Sequence, residues 1–429
     1  LCFRLPLSKS IRAALTVGVG FIGVNLVLDI VWNVMAPLAQ SLSSQYASTL
    51  TALDVSWPAA AAIAFSSKIG AVIIPFIMLV NIIMLMLGLT KTVNIDIWNY
   101  WHYALFGSLV TVMTQSLVLG FLGAACHAII TLKYADLTAH DVQQLLGIPG
   151  ISIPHGSSAS FVPLFILLDK VYDRFSFFDS KESQSQEDQH PVLKFLSEPI
   201  ILGGCIGAAL AFVAGYNFLE MTKVAMGLAA LMVLLPQMVR IIMEGLVPIS
   251  HAAKRFMGKR FLGREFYIGL DSAIALGHPT TIKTAAVLIP ITILLAFSIP
   301  GNSTIPAGDL VAINFFIVMA TPIHKGNFIR TLTSGVVVIG MMLLICSYFA
   351  PAYTELALQV GEIDMMTHMS MISSMIIGNG TSWILSQLVM KNVIGGALMV
   401  IFTIGFVLVL GWFENKRDLN RKTEEQLAE

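Results

Sequence analysis

The segment formed by residues 147–159 interrupts a very hydrophobic sequence and strongly limits how the chain can fold. It reads Gly-Ile-Pro-Gly-Ile-Ser-Ile-Pro-His-Gly-Ser-Ser-Ala. Proline removes a backbone donor and glycine relaxes φ, so a regular helix cannot run through it. Beside long apolar runs, an irregular polar backbone is tolerated only where protein buries it or water lines it. We therefore expect this segment, and His155 within it, to form part of a site inside a membrane protein.

The composition supports this placement in a membrane. Hydrophobic residues make up 56% of the 429 residues and charged residues 12%, against about 25% charged in a typical soluble protein. The mean hydropathy is +0.81. Lys+Arg and Asp+Glu number 25 each, so no net field argues for nucleic acid or an acidic partner. The sequence predicts an all-α polytopic membrane protein of about ten or eleven transmembrane helices with re-entrant hairpins.

The predicted spans are apolar runs of roughly 20 residues, the length that a bilayer requires. They cover residues 11–35, 69–89, 104–132, 200–213, 221–235, 285–298, 310–320, 336–349 and 394–413. Pro75 is expected to kink its span, and residues 104–132 are long enough for one tilted helix or a tight pair. The sequence Ser56-Trp57-Pro58 leads into a short alanine-rich stretch, which suggests a hairpin or re-entrant element.

The charges of the connections and of the C-terminal tail indicate which segments face the cytoplasm. Short basic connections favour the cytoplasm, so residues 251–260 and the tail at residues 414–429 are predicted there. The chain begins at Leu1, and its first residues lack the features of a signal peptide. We expect N-terminal sequence to precede it, with room for a whole span.

No motif supports a metal, a nucleotide or a catalytic nucleophile. The four cysteines are scattered, and no two histidines stand at the spacing of helical metal ligands. The sequence contains neither a GxxxxGK[ST] phosphate loop nor a G-x-S-x-G elbow. We predict no cofactor and no metal, and an intramembrane enzyme is the least favoured class.

Several ionisable residues fall within or beside the apolar runs, where a charge is costly and usually functional. They are His102, His155, Glu198, Asp271, His278 and His324, with Asp96 nearer a boundary. A neutral imidazole both donates and accepts, and a carboxylate can accept from two adjacent hydroxyls, so this set suits a polyhydroxylated ligand. Further neutral partners are Asn379, Ser157, Ser158 and Thr381.

Structural explanations stay open for some of these residues. His155 could satisfy a core contact, and His324 has basic neighbours that indicate a water-facing junction. Residues 90–103 could form an interfacial aromatic belt, which accounts for the tryptophans and tyrosines there. A cavity-lining face accounts better for Asp96, Asn99 and His102.

The two halves of the sequence share a weak resemblance. Residues 21–23 echo residues 267–269, and residues 56–58 echo residues 381–383. Broken segments in corresponding halves would point to a binding site near the midplane of a transporter.

Several stretches, in order along the chain, resemble one protein family. They are residues 93–99, Trp101-His102, residues 151–156, residues 266–271, Gly277-His278, residues 300–302 and Gly326-Asn327. The chain resembles the galactitol-specific membrane component, enzyme IIC (EIIC), of the bacterial phosphoenolpyruvate-dependent sugar phosphotransferase system. The ascorbate-specific EIIC components are more distantly similar.

The resemblance implies a galactitol permease subunit in the bacterial inner membrane. It implies a homodimer in which a scaffold subdomain forms the interface and a core subdomain moves. The segments of these two subdomains alternate along one membrane domain, residues 1–429. Transport would follow an elevator-type motion. The soluble IIB partner, with IIA, would phosphorylate the sugar alcohol at the cytoplasmic side, so the chain itself is expected to be a transport subunit and no enzyme.

Carried over to this sequence, the family's substrate contacts fall on or beside eight residues. These are His102, His155 and Asp271, together with Ser56, Trp57, Asn379, Thr381 and Ser382 at two hairpin tips. The alternative function is a secondary transporter of a small polar solute, driven by an ion gradient, with Asp271 or Glu198 as the ion carrier.

Overall fold

The protein is mostly helical in its computed structural model, which describes residues 6–46, 50–179, 198–260, 265–306, 308–361, 371–389 and 393–428. The helices of the first half are α1 (Leu7–Tyr46), α2 (Ser56–Ser66), α3 (Ile73–Met86), α4 (Trp101–Thr114), α5 (Leu117–Leu146) and α6 (Val162–Tyr172). Those that follow are α7 (Pro199–Val213), α8 (Phe218–Arg260), α9 (Ala273–Leu276), α10 (Pro279–Ser298), α11 (Ile313–Ile317), α12 (Ala320–Ile323), α13 (Phe328–Val360), α14 (Gly380–Leu388) and α15 (Val393–Ala428). Short 3₁₀ helices cover Gly70–Val72, Ile97–Tyr100, Ser176–Asp179, Gly308–Ala312 and Met375–Ile377.

Within the described residues, four helices are long and apolar enough to cross a membrane. They are Leu117–Leu146, Pro279–Ser298, Phe328–Val360 and Ile394–Arg417. A fifth candidate is the pair Ala59–Ser66 and Gly70–Met86, which is bent by 79° as in a broken span or a re-entrant loop. A mostly helical protein with four or five membrane-compatible helices is therefore confirmed, and the count of ten or eleven spans stays a prediction.

Several predicted spans differ from the helices that form. Residues 104–132 contain a helical pair, because Gln115 takes a left-handed φ of 56° and Ser116 caps α5. The break before α3 lies at residues 67–72, whereas Pro75 sits in the first turn of α3, where a missing N–H costs little. Residues 251–260 continue α8 and are no connection, and residues 310–320 are divided among short helices.

Six short strands were not anticipated by the all-α prediction. They are β1 (Ala52–Asp54), β2 (Thr92–Asn94), β3 (Ile151–Ser152), β4 (Tyr267–Gly269), β5 (Thr304–Ile305) and β6 (Met371–Ser373). They form two three-stranded parallel sheets, with the orders β5-β1-β6 and β2-β4-β3. Strands of two or three residues are too short to produce a period of two in the sequence.

The strand orders reveal two halves that exchange their first strands. In the first half β1 precedes β2 and β3, and in the second half β4 precedes β5 and β6. The strand β1 lies between β5 and β6, and β4 lies between β2 and β3. The two halves have matching strand orders, as a repeat would have. Residues 267–269 form β4, and β4 corresponds to β1 at residues 52–54 and not, as the sequence suggested, to residues 21–23.

Close helix contacts depend on glycine. The helices α4 and α5 pack at Gly107 and Gly120, where a Cβ added to Gly120 would lie 2.7 Å from the Gly107 carbonyl oxygen and against the Thr111 hydroxyl. Small residues allow this approach of two backbones in a membrane protein. The α4–α5 pair carries much of the site described next.

Candidate functional site

Residues 147–159 form a buried, mostly non-helical segment, as their sequence predicts. Gly147 ends α5 with a φ of +67°, and β3 and a turn lead to α6. The Tyr103 hydroxyl donates to the Pro154 carbonyl oxygen at 2.9 Å. A Cβ added to Gly156 would lie 2.7 Å from the His102 Cβ. The segment is thus packed directly on the first turn of α4.

His102 and His155 face each other, with their Nε2 atoms 3.3 Å apart. The Ser158 N–H donates to His155 Nδ1 at 3.0 Å, so that nitrogen is an acceptor and a neutral His155 carries its proton on Nε2. His155 then donates to His102 Nε2, and the His102 proton lies on Nδ1. Both side chains are buried. The two predicted histidines therefore form one hydrogen-bonded pair with defined tautomers.

Asp271 is joined to this pair through two serines. Its Oδ1 accepts the Ala273 N–H at 2.7 Å and the Ser272 hydroxyl at 3.4 Å. The Ser158 hydroxyl donates to Ser272 at 2.9 Å. Because β4 lies directly beside β3, the turn after β4 reaches the segment that follows β3.

Asn379 docks the start of α14 on the same segment. Its Oδ1 accepts the Ser382 N–H at 2.9 Å and caps the helix, while its Nδ2 donates to the Gly156 carbonyl oxygen at 2.7 Å. The Thr381 hydroxyl donates to the Ser160 carbonyl oxygen at 3.2 Å. The start of α14 and the histidine segment are therefore one polar unit, although more than half the chain separates them.

A small cavity lies between these elements. Its lining residues are His102, Leu105, Phe106, Leu109, His127, Ile376, Ile377, Asn379 and Ser382. The cavity gives the centre of a water molecule about 10 Å³, which is room for about one water. A six-carbon polyol does not fit without movement of the surrounding elements.

The other predicted hairpin tip lies at the start of α2, where the buried Asp309 carboxylate accepts a backbone hydrogen bond from it. Asp309 accepts the Trp57 N–H at 2.7 Å and the Ser374 hydroxyl at 2.6 Å. Asp54 accepts the Asp309 N–H at 2.8 Å. Trp57 is partly buried and packs against the core. The Ser56 side chain lies outside the described residues.

The remaining candidates have structural partners outside the cavity. His324 is buried, so the predicted water-facing junction is wrong for its side chain; its Nδ1 lies 2.9 Å from Asp169 and its Nε2 2.9 Å from Ser334. His278 caps α10 by accepting the Thr280 N–H at 3.2 Å.

Three acidic or amide candidates also lie elsewhere. Asp96 accepts from the Asn99 amide at 2.7 Å. Glu198 precedes α7 and makes no side-chain cap for it.

A buried ion cluster lies along α5, away from the cavity. Lys133 contacts Asp136 at 3.0 Å and Glu414 at 2.8 Å. Glu414 also contacts Lys91 at 2.9 Å, and Asp136 accepts from the hydroxyls of Thr90 and Thr92. This cluster ties α15 and the β2 region to α5. Among the described residues no group of three or more His, Cys, Asp or Glu could hold a metal ion.

The sequence is similar to known proteins over most of its length. The family model EIIC-GAT, PTS system sugar-specific permease component, matches residues 1–365. The chain belongs to this family. EIIC-GAT proteins are transport subunits of the phosphotransferase system (PTS), so the sugar-permease prediction is confirmed.

Two relatives in Escherichia coli (strain K12) cover nearly the whole chain. A protein named as a permease IIC component, with no substrate in its name, is 43% identical over 420 residues, which are 98% of this chain and 95% of the relative. The PTS galactitol-specific EIIC component is 34% identical over 390 residues, which are 91% of this chain and 86% of the relative. Its counterpart in Escherichia coli O157:H7 gives the same values.

Two buried groups at or near the candidate site were not predicted from the sequence. His127 lines the cavity, and Asp309 joins two chain segments near it. His127 had a visible signal, because it is an ionisable residue within the apolar run of residues 104–132. Asp309 had a weaker one, at the edge of the predicted span of residues 310–320.

Proposed function

We propose that this EIIC-GAT protein binds galactitol between its two halves and carries it across the bacterial inner membrane. The His102–His155 pair is the observation that carries the proposal. In this pair His102 lines the cavity, which residues of both halves complete, and His155 is hydrogen-bonded directly behind it. The galactitol-specific relatives supply the substrate.

The chemistry of the site suits a polyol. Each hydroxyl of a sugar alcohol both donates and accepts, and imidazole, amide, hydroxyl and carboxylate groups meet both needs without a net charge on the ligand. We assign substrate contacts to His102, His155 and Asp271, and at the two tips to Ser56, Trp57, Asn379, Thr381 and Ser382. Asp271 would accept hydroxyls through charge-assisted bonds.

Movement of the sugar requires the cavity to enlarge. The room for about one water supports an occluded state, from which the core must open toward either side. We propose an elevator-type motion of a core that contains the α4–α5 pair, the two sheets and α14. The helices α1, α7 and α8, which pack on one another, belong to the scaffold in this proposal.

The scaffold would form the interface of a homodimer. A stripe of exposed apolar side chains runs along α1, at Leu7, Ile11, Leu15, Val19, Ile22 and Leu26. In a bilayer this stripe meets either lipid or a second copy, and cysteines placed along it would form cross-links only in a dimer. The whole chain, residues 1–429, would be one multi-pass membrane domain with residues 414–429 in the cytoplasm.

The soluble partners would complete the reaction. IIA would pass a phosphoryl group to IIB, and IIB would phosphorylate galactitol at the cytoplasmic opening of the site. The permease itself forms and breaks no bond in this scheme, and it uses no cofactor or metal.

The proposal is tested by calorimetry and thermal shift of the detergent-solubilised protein against a panel of sugar alcohols. Galactitol at 100 times its Kd should stabilise the folded protein by about 2.7 kcal/mol, and mannitol and sorbitol should stabilise it less. Equal or stronger binding of another alcohol would reassign the substrate. Accumulation of unmodified galactitol by vesicles that lack IIA and IIB would replace the phosphotransferase mechanism with ion-coupled transport.

A further inference from the structure

His127 is a second histidine that lines the cavity, beside His102. It lies in α5, is 1% exposed and lines the cavity with His102 and Asn379. The rings of Tyr103 and Phe106 meet it edge-on, at centroid distances of 5.3 and 5.6 Å. Two aromatic rings of α4 therefore restrict the orientation of the imidazole.

The hydrogen bonds of His127 determine where its proton lies. Its Nε2 is 3.2 Å from the Gly156 carbonyl oxygen. A carbonyl oxygen can only accept, so Nε2 carries the proton and Nδ1 of the neutral ring is a bare acceptor. This Nδ1 is buried and has no hydrogen-bond partner among the residues that the structure describes. A buried acceptor left unpaired is costly, and its persistence calls for an explanation.

We propose that His127 is a specificity-determining substrate residue whose Nδ1 accepts a hydrogen bond from one hydroxyl of the sugar alcohol. The inference rests on the proposed function and adds a contact to the same site. A hydroxyl on the ligand supplies the donor that the buried nitrogen lacks. A deoxy analogue without that hydroxyl would leave the nitrogen unpaired again, so His127 would discriminate against it.

The competing explanation is that His127 only supports Gly156 through Nε2. Two substitutions separate these roles because each retains a different nitrogen position of the imidazole. In His127→Asn the side-chain amide reaches the position of Nδ1, and in His127→Gln it reaches the position of Nε2. Asn can therefore keep the ligand contact and Gln the Gly156 contact.

The test measures galactitol affinity by calorimetry for the wild type and both variants, each checked for a monodisperse elution profile. We expect His127→Gln to weaken binding about tenfold or more and His127→Asn to weaken it less. The reverse order, or equal affinity in all three proteins, would overturn the inference. A wild type that binds no galactitol would instead defeat the proposed function.

A measurement on the wild type alone keeps the inference testable if a variant does not fold. In protein labelled with ¹⁵N at histidine, Nδ1 of His127 is an unbonded acceptor, whereas Nδ1 of His155 is already bonded to Ser158. Galactitol should convert one free Nδ1 acceptor resonance into a hydrogen-bonded one. Saturating galactitol that leaves this resonance unchanged would rule out the contact.

Discussion

The Asp309 carboxylate accepts the Trp57 backbone N–H at 2.7 Å, although 252 positions separate the two residues in the chain. Its other oxygen accepts the Ser374 hydroxyl at 2.6 Å and lies 3.4 Å from the Ile376 N–H. Ile376 lines the cavity. One buried carboxylate thus connects the start of α2 with a wall of the candidate site.

Replacing this carboxylate with an amide should destabilise the protein. In Asp309→Asn only one oxygen can accept, so either the Trp57 N–H or the Ser374 hydroxyl loses its acceptor. We expect a loss of about 1–3 kcal/mol in the free energy of unfolding, measured by thermal unfolding in detergent. The control Glu355→Gln changes an exposed carboxylate and should leave the unfolding temperature unchanged. Equal unfolding temperatures for the two variants would contradict the assigned role.

Removal of either central polar group should abolish galactitol binding without unfolding the protein. His155→Ala removes the donor to His102, and Asp271→Ala removes the carboxylate linked to the same turn. Calorimetry should find no measurable binding for either variant, while size-exclusion profiles match the wild type. His140→Ala, an exposed histidine on α5, should bind galactitol normally. Unchanged affinity in His155→Ala would remove that residue from the site.

The contact between α4 and α5 should not tolerate a larger residue. Gly120→Ala places a methyl group against Thr111 and 2.7 Å from the Gly107 carbonyl oxygen, and overpacking of this kind costs about 1–3 kcal/mol. The matched substitution Gly204→Ala in α7 meets no atom of the described residues within 4 Å and should be neutral or gain up to about 1 kcal/mol in helix propensity. Thermal unfolding of both variants checks the pair. A Gly120→Ala protein as stable as Gly204→Ala would show that the helices can separate freely.

The buried ion cluster should depend on its lysine. Lys133→Met leaves the Glu414 and Asp136 carboxylates without their shared partner, and breaking a buried pair in this way costs about 3–5 kcal/mol. The double variant Lys133→Met/Glu414→Gln should recover part of the loss, because it neutralises one of the two carboxylates that lose the lysine, although Glu414 keeps its contact with Lys91. Thermal unfolding provides the comparison. No recovery in the double variant would mean that Asp136 is the dominant partner of Lys133.

The sequence predicted the features that depend on local composition. The membrane class follows from the apolar runs, and the break at residues 147–159 follows from proline and glycine. The proximity of His102 and His155 came from the family resemblance. Their tautomers depend on the Ser158 N–H, a backbone position that no residue type encodes.

The features that the sequence did not predict depend on contacts between residues that lie far apart in the chain. A strand such as Ile151–Ser152 is recognisable only through β4, which pairs with it from the other half. Asp309 likewise resembles an ordinary boundary carboxylate until its partners from two other segments are known. His127 is the exception, since its position in an apolar run was already informative.

The exchange of first strands between the halves has a consequence for synthesis in the cell. Within the described part of the chain, the strand β1 pairs with β5 and β6, which are translated long after it. Translation proceeds at about 5–20 residues per second, so β5 follows β1 after roughly 10–50 s and β6 after roughly 15–65 s. During that interval its backbone groups must be covered by water, by the insertion machinery or by neighbouring helices. A ribosome that stalls within the first half would therefore leave a nascent permease whose first strand has no partner to pair with.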